Sequence, residues 1–322
     1  MKLPLFVLIG PTAVGKTKIS IQLAKVLQGE IISGDSMQVY KYLDIGTAKI
    51  KPEEMEGIPH HLIDIKEPEE NFSVAEFQKL AHEKIKEINI RKKLPMLVGG
   101  TGLYINSVIN ENYNFSPTGN TEKIREKLWQ EVEEKGIDNL LSKLKEVDPL
   151  SAEKIHPHDT KRIIRALEVY YTTGKPFSSF QKTNNHTTSK YNLVMVGLNM
   201  DRDKLYQRIN LRVEKMLEEG WVEEVKKVLK SGISPNAPAL QGLGYRQLIM
   251  YLKGEISFEE AVDLIKRDTR RFAKRQLTWF RRDKRIHWID VTDKKEKEIL
   301  QEILFFTGRS IKNNLEVINN LS

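Results

Sequence analysis

The stretch Gly10–Ser20, GPTAVGKTKIS, follows directly on the apolar run LPLFVLIG, Leu3–Gly10, and together they decide the fold. Gly10, Gly15, Lys16 and Thr17 satisfy the spacing GxxxxGK[ST]. They do so after a strand-like run and before a segment with helical spacing at Ile19, Leu23 and Val26, which is the context the pattern requires. The glycines let the backbone of Gly10, Pro11, Thr12, Ala13, Val14 and Gly15 converge on phosphate oxygens, helped by the amino end of the following helix. Lys16 adds a point charge, and Thr17 offers a hydroxyl to Mg²⁺. The loop therefore binds a di- or triphosphate. It does not say which bond breaks, because a diphosphate leaving group would be cradled in the same way.

Working outward, GEIISGD (29–35) reads as a second strand, Ser73–Lys93 as a helix, and KLPMLVGGTG (93–102) as a third strand. Strand, loop and helix in succession predict a parallel sheet covered by helices, with ligands at the carboxyl ends of the strands. From about Tyr113 the texture changes to a polar stretch, NYNFSPTGNT, followed by long charged amphipathic segments. A second polar patch, TNNHTTSK, precedes the next strand candidate within 186–201. The helical segments 202–232 and 257–283 and a last strand, RIHWIDV, complete the core; the tail after Thr292 gives no clear signal. The expected architecture is α/β, a P-loop NTPase-like parallel sheet flanked by helices, with an all-helical insertion domain. The core takes residues 1–113 and 190–322, and the insertion 114–189.

Composition narrows the function. No cysteine occurs in the 322 residues, which excludes disulfides, thiolate nucleophiles and cysteine-based zinc sites and fits a reducing compartment, so the cytoplasm is expected. The amino-terminal apolar run is too short to span a bilayer and leads into a glycine loop rather than a cleavage site, so no membrane association is expected. The net charge is +8, and Lys266–Arg285 alone carries ten Lys or Arg against Asp268 and Asp283, an excess equal to that of the whole chain. Such a run can be a solvated helix face. Here Phe272, Trp279 and Phe280 interleave with cations that include Lys274 and Arg275, and cations with stacking surfaces suit a nucleic-acid backbone.

Asp35 ends the second strand and should face the phosphate loop, as a general base, a metal-bound acid, or a turn-capping aspartate before Ser36. The third strand ends in Gly99, Gly100, Thr101 and Gly102, exposing backbone and one hydroxyl to the same cleft. It carries no acidic residue there, where many nucleotide hydrolases keep a metal-binding aspartate. His60 and His61 have no third ligand in view, and no zinc is assigned.

The blocks GPTAVGKT, DSMQVYKYLDIGTAK, HHLID, VGGTGLY, DTKRIIRALEVYYTTGKP, GLGYRQ and TRRFAKRQLTWFR, in order between about Phe6 and Trp288, resemble bacterial tRNA dimethylallyltransferases, also called tRNA isopentenyltransferases. The resemblance implies transfer of a dimethylallyl group from dimethylallyl diphosphate to N6 of the adenosine just 3′ of the anticodon, with release of diphosphate. It implies Asp35 as the base for the N6 proton, Thr101 as a positioning group, Arg212 near the diphosphate, and Lys16, the loop amides and Mg²⁺ as stabilisers of the leaving group. The anticodon stem-loop of tRNA is the implied partner. Its contacts would come from Asp35, Ser36, Met37, Gln38 and Thr101, and from Gln241, Gly242, Gly244, Tyr245, Arg246 and Gln247 along the path of a flipped base. In the insertion Lys123, Asp159, Thr160, Lys161, Arg162 and Ile163 would join them, and Lys274 and Arg275 in the basic segment. Lys161, Arg162 and Arg165 suit phosphate contacts. The alternatives are an isopentenyltransferase acting on free adenine nucleotides, a P-loop kinase, and a non-catalytic RNA binder. A monomer is expected, since no feature marks a self-complementary interface.

Overall fold

A computed structural model, which describes residues 2–111, 113, 122–181 and 188–319, shows why the opening run is apolar throughout rather than alternating. The chain divides into two compact units, Met1–Ile109 with Ser189–Ser322, and Asn110–Thr188. The first unit begins with β1 (Pro4–Ile9), α1 (Lys16–Leu27), β2 (Gly29–Ser33), β3 (His60–His61), α2 (Val74–Ile90), β4 (Leu94–Gly99) and α3 (Gly102–Ile109). The second unit holds α4 (Glu122–Lys135), α5 (Ile137–Val147), α6 (Pro149–Lys154), α7 (Thr160–Thr173) and α8 (Phe177–Gln181). The first unit resumes with β5 (Asn192–Asn199), α9 (Arg202–Glu218), α10 (Trp221–Lys230), α11 (Tyr245–Leu252), α12 (Phe258–Phe280), β6 (His287–Asp290) and α13 (Glu296–Asn319).

The strands form one sheet in the order β3-β2-β4-β1-β5-β6, and every pairing is parallel. β1 is central, paired with β4 through Phe6 and Met96 and with β5 through Val7 and Met195. Successive residues of β1 serve opposite faces. Leu5, Val7 and Ile9 pack with Phe77, Ile85 and Val108 of α2 and α3, whereas Phe6 and Leu8 pack with Ile19, Leu23, Ile209 and Ile303 of α1, α9 and α13. Both faces are covered, as parallel sheets require, so the strand reads as a continuous apolar run. A third core cluster packs Val39, Tyr40 and Leu43 against Trp221, Val225, Leu240 and Tyr245, fixing the loop after β2 beneath α10 and α11.

Because the strands are parallel, the ends of β1, β2 and β4 share one edge of the sheet. The phosphate loop, Asp35 and the Gly99–Thr101 turn are therefore brought together. At Gly15, the residue capping α1, φ is 103°, which favours glycine.

Four elements of the first unit, β3, α3, α11 and α13, go beyond the sequence reading. β3 is two residues long, too short to register as a period, and α13 packs Ile299 and Ile303 onto the sheet with Lys18 of α1 paired to Glu296 at 2.6 Å. The polar stretches 112–121 and 183–190 lie mostly outside the described residues. The helical unit has its own core of Leu128, Leu140, Leu144, Ile163, Ile164 and Leu167. No helix among the described residues is long and apolar enough to cross a membrane.

Candidate active site

A cleft opens at the carboxyl edge of the sheet, lined by the phosphate loop, Asp35, Gln38, Gly99, Gly100, Arg212 and Gln276. Lys16 Nζ donates to the carbonyls of Gly10 and Pro11 at 2.9 and 2.8 Å. Burial lowers its ammonium from the usual 10.5 to about 7; the neighbouring Arg212 guanidinium lowers it too, and the Asp35 carboxylate opposes both. Arg212 is shifted down as well, chiefly by burial, with Asp35 opposing and Arg208 adding to the effect. Arg208 Nη2 lies 3.6 Å from where a Cβ on Gly15 would sit, directly over the phosphate loop. The cleft thus gathers Lys16, Arg208 and Arg212 against one carboxylate, which is electrostatics suited to a polyanion. Thr17 opens the first turn of α1 with its side chain exposed to the cleft.

Asp35 is at once a capping group and a cleft carboxylate. Its Oδ1 accepts the backbone N–H of Met37 at 2.8 Å and of Gln38 at 3.4 Å, while Oδ2 has no hydrogen-bond partner among the described residues. Thr101 Oγ1 accepts the Ser36 N–H at 3.2 Å and lies 3.5 Å from Ser36 Oγ, and the Thr101 N–H donates to the Gly34 carbonyl, so it ties the end of β4 to the end of β2. The Gln38 amide is held by Ser33 Oγ at 3.0 Å and donates at 3.4 Å to the carbonyls of Thr47 and Ala48.

The block 241–247 sits beside these residues, since a Cβ on Gly242 would meet Met37 Cε at 2.4 Å. Gln241 and Arg246 are exposed, whereas Tyr245 and Gln247 are buried. The Tyr245 hydroxyl donates to Glu224 Oε1 at 2.7 Å, and Gln247 bonds the Gly244 N–H and Asp268. Gly244 lies against the Trp221 ring. In the helical unit Lys123, Lys161 and Arg162 are exposed, Thr160 opens α7, Asp159 caps it by accepting the Arg162 N–H at 3.2 Å, and Ile163 is fully buried in that unit's core.

On α12 the capping box of Ser257 and Glu260 starts the helix, and Ala261, Ile265, Ala273 and Phe280 face the core. Lys274, Arg275, Arg281, Arg282 and Lys284 are exposed without a carboxylate partner among the described residues, and the Arg275 guanidinium lies 5.9 Å from the Phe272 ring. Among the described residues no group of three His, Asp or Glu is placed to hold a metal. His60 Nδ1 bonds the Ile58 carbonyl and His61 Nε2 bonds Glu30.

Sequence reasoning passed over three residues of this site. Arg208 stands one turn before Arg212, a pairing visible as two arginines four apart. Gln276 is a polar residue within the buried stripe of α12, visible in the helical spacing. Glu224 has no local signal.

A family model described as IPP transferase matches residues 38–283. The tRNA dimethylallyltransferase of Carboxydothermus hydrogenoformans is 54% identical over 94% of this chain and 97% of its own. The crystal structure of a tRNA isopentenylpyrophosphate transferase from Bacillus halodurans is 48% identical, covers 98% of this chain and 99% of its own, and superposes with a TM-score of 0.73. A eukaryotic dimethylallyltransferase, described as acting on tRNA, is 31% identical over 99% of this chain and 80% of its own, with a TM-score of 0.77. With the family model spanning well over half of the residues and a relative more than half identical across nearly all of them, the chain belongs to the IPP transferase family.

Proposed function

We infer that the protein transfers a dimethylallyl group from dimethylallyl diphosphate to the exocyclic N6 of the adenosine 3′-adjacent to the anticodon of tRNA, releasing diphosphate. The observation that carries this reading is the pairing, within one cleft, of a cationic phosphate loop with a carboxylate whose Oδ2 is unengaged. The loop amides, Lys16 and Arg212 hold the diphosphate and stabilise the charge that develops when the allylic carbon–oxygen bond breaks and its electron pair passes to the leaving oxygen. Ile31, Ile50, Ile63, Val98 and Phe272 line the same cleft and suit the five-carbon chain.

The N6 lone pair, delocalised into the purine, forms the new carbon–nitrogen bond. As it does so N6 becomes acidic, and Asp35 Oδ2, first orienting the amine, takes the proton late. Oδ1 stays on the Met37 and Gln38 amides, which fixes the carboxylate for that task. Thr101 positions the reacting groups through Ser36. The chemistry of Thr17, one free hydroxyl at the loop, fits Mg²⁺, which takes one or two protein oxygens and completes its shell with phosphate oxygens and water. Held there, the ion would neutralise diphosphate charge.

A stacked base cannot reach Asp35, so the adenosine is extruded into the cleft. The exposed cations of α12, with Lys274 and Arg275 among them, and Lys123, Lys161 and Arg162 in the helical unit suit backbone phosphates, while Gln241 and Arg246 suit the flipped base's surroundings. The protein acts, in this reading, as a cytoplasmic monomer.

The deciding experiment incubates purified protein with unmodified tRNA, Mg²⁺ and radiolabelled dimethylallyl diphosphate, with adenosine monophosphate in a parallel tube, followed by nucleoside analysis. Label on adenosine N6 in tRNA alone is the expected result. Label on the mononucleotide would move the protein to the free-nucleotide enzymes, and label on neither would overturn the assignment.

A further inference from the structure

Gln276 lies on α12 among core residues, 7% exposed, and its side-chain amide reaches two loops far away in sequence. Oε1 accepts the Thr12 N–H at 2.9 Å, and Nε2 donates to the Gly100 carbonyl at 3.0 Å. The two partners have opposite polarity, so only one orientation of the amide satisfies both. An amide buried in an apolar stripe is costly unless bonded at both ends. Here both ends are bonded, and by groups on the two loops that frame the cleft. The approach is close: a Cβ on Gly100 would lie 2.2 Å from Gln276 Nε2, so glycine is needed at that turn.

We propose that Gln276 is a positioning residue for the diphosphate, its amide bridging the Thr12 N–H of the phosphate loop and the Gly100 carbonyl of the turn after β4. The proposal rests on the reading of the loop as a diphosphate site. The bridge fixes the distance between the loop and the turn that carries Thr101. It also engages the Thr12 N–H, which leaves the amides from Ala13 to Thr17 as the set that meets phosphate oxygens. Without it the loop's entry is no longer anchored. The diphosphate then binds in a broader range of registers, and a displacement of about 1 Å at the reacting centre costs roughly 10²-fold in rate.

The test uses the full chain with two substitutions. Gln276→Met keeps the volume and removes both bonds. Gln276→Glu keeps an acceptor for Thr12 but sets a carboxylate oxygen against the Gly100 carbonyl and places negative charge on the cleft wall. Affinity for inorganic diphosphate with Mg²⁺ is measured by calorimetry, alongside donor KM, tRNA KM, kcat and thermal midpoint. The expected result is about a tenfold loss of diphosphate affinity and a matching rise in donor KM for Gln276→Met, a larger loss for Gln276→Glu, and tRNA KM within about twofold of wild type. Diphosphate affinity unchanged in both variants, whatever their midpoint, overturns the proposal, as does an equal rise in the two KM values. If both variants fail to fold, Gly100→Ala, which presses on the same amide from the other loop, is expected to weaken diphosphate binding; unchanged binding there overturns the proposal too. A wild type that binds diphosphate in this Gln276-dependent way yet transfers nothing would sink the proposed function and leave this inference standing.

Discussion

The carboxylate of Glu224 accepts the hydroxyl of Tyr245 at 2.7 Å and, at the same time, the backbone N–H groups of Asp44, Ile45 and Gly46 at 2.7, 2.7 and 3.1 Å. One side chain of α10 therefore holds the loop whose Thr47 and Ala48 carbonyls in turn hold Gln38. Bonds to an ionised acceptor contribute about 1.5–3 kcal/mol each, and an amide in its place would set an NH₂ against donors. Glu224→Gln is expected to destabilise the protein by roughly 2–4 kcal/mol in urea titration and to lower transfer with it. Tyr245→Phe, which removes one of the four bonds, should cost about 1–2 kcal/mol. A Glu224→Gln midpoint equal to wild type would refute the anchoring role.

Asp35→Asn keeps an oxygen for the Met37 and Gln38 amides and removes the proton acceptor. Single-turnover transfer should fall by about 10²–10⁴-fold. Filter binding should find tRNA affinity within about twofold of wild type, because the cationic surface is untouched. Undiminished transfer would remove Asp35 from the base role.

Lys16 titrates near 7 in the folded protein against 10.5 for a free lysine, so between those values the unfolded chain holds the proton and the folded chain does not. Where the unfolded state binds more protons, stability rises with pH. The contribution of Lys16 thus grows from about pH 7 towards the ordinary lysine range. An anion in the loop favours the charged amine, so diphosphate binding at about pH 8.5 should draw in a proton, approaching one per site. Calorimetry in two buffers of different ionisation enthalpy reads that uptake, and Lys16→Arg, which stays charged, corrects for the protons of diphosphate itself. Equal uptake by the two proteins would mean that Lys16 is charged throughout.

Tyr42 is 57% exposed and holds φ at 66°, a left-handed conformation in a residue with little packing to offset it. That conformation costs an ordinary residue roughly 1–2 kcal/mol, and glycine avoids it while losing part of the gain through a freer unfolded chain. Tyr42→Gly should raise stability by about 0.5–1 kcal/mol in thermal or urea unfolding. A lowered midpoint would mean that contacts of the ring outweigh the strain.

The phosphate loop, the flanking strands and Asp35 were legible because each depends on neighbours in sequence: a glycine spacing, an apolar run, a residue at a strand end. The basic helix was legible as a charge run and its core face as a period. Glu224 was not, because the loop it holds lies about 180 residues away, where pattern gives no warning. Gln276 shows in the sequence only as a polar residue in an apolar stripe; its partner Thr12, 264 residues away, does not. Tyr245, Gln247 and Ile163 show the converse. They stand inside segments matched to the family's tRNA-contacting motifs, yet their side chains are taken up by the hydrophobic core or by internal hydrogen bonds. A motif marks a stretch of chain, whereas burial sorts its residues one by one. α13 was not legible although Ile299 and Ile303 share a helical face, because Leu300, Leu304, Phe305 and Phe306 spread apolar residues around the helix and blur the period.

The helical unit opens at Asn110 and closes at Thr188, and the Glu111 N–H donates to the Thr188 carbonyl at 3.2 Å. The excursion is thus stapled at its own neck. For such a closed loop the entropic penalty grows only with the logarithm of its length, about 0.6 kcal/mol for each doubling. The parallel sheet is then nearly indifferent to how much chain is threaded between α3 and β5. Natural variation, or a designer, could lengthen, shorten or exchange the helices beyond that neck while the phosphate loop and Asp35 keep their places.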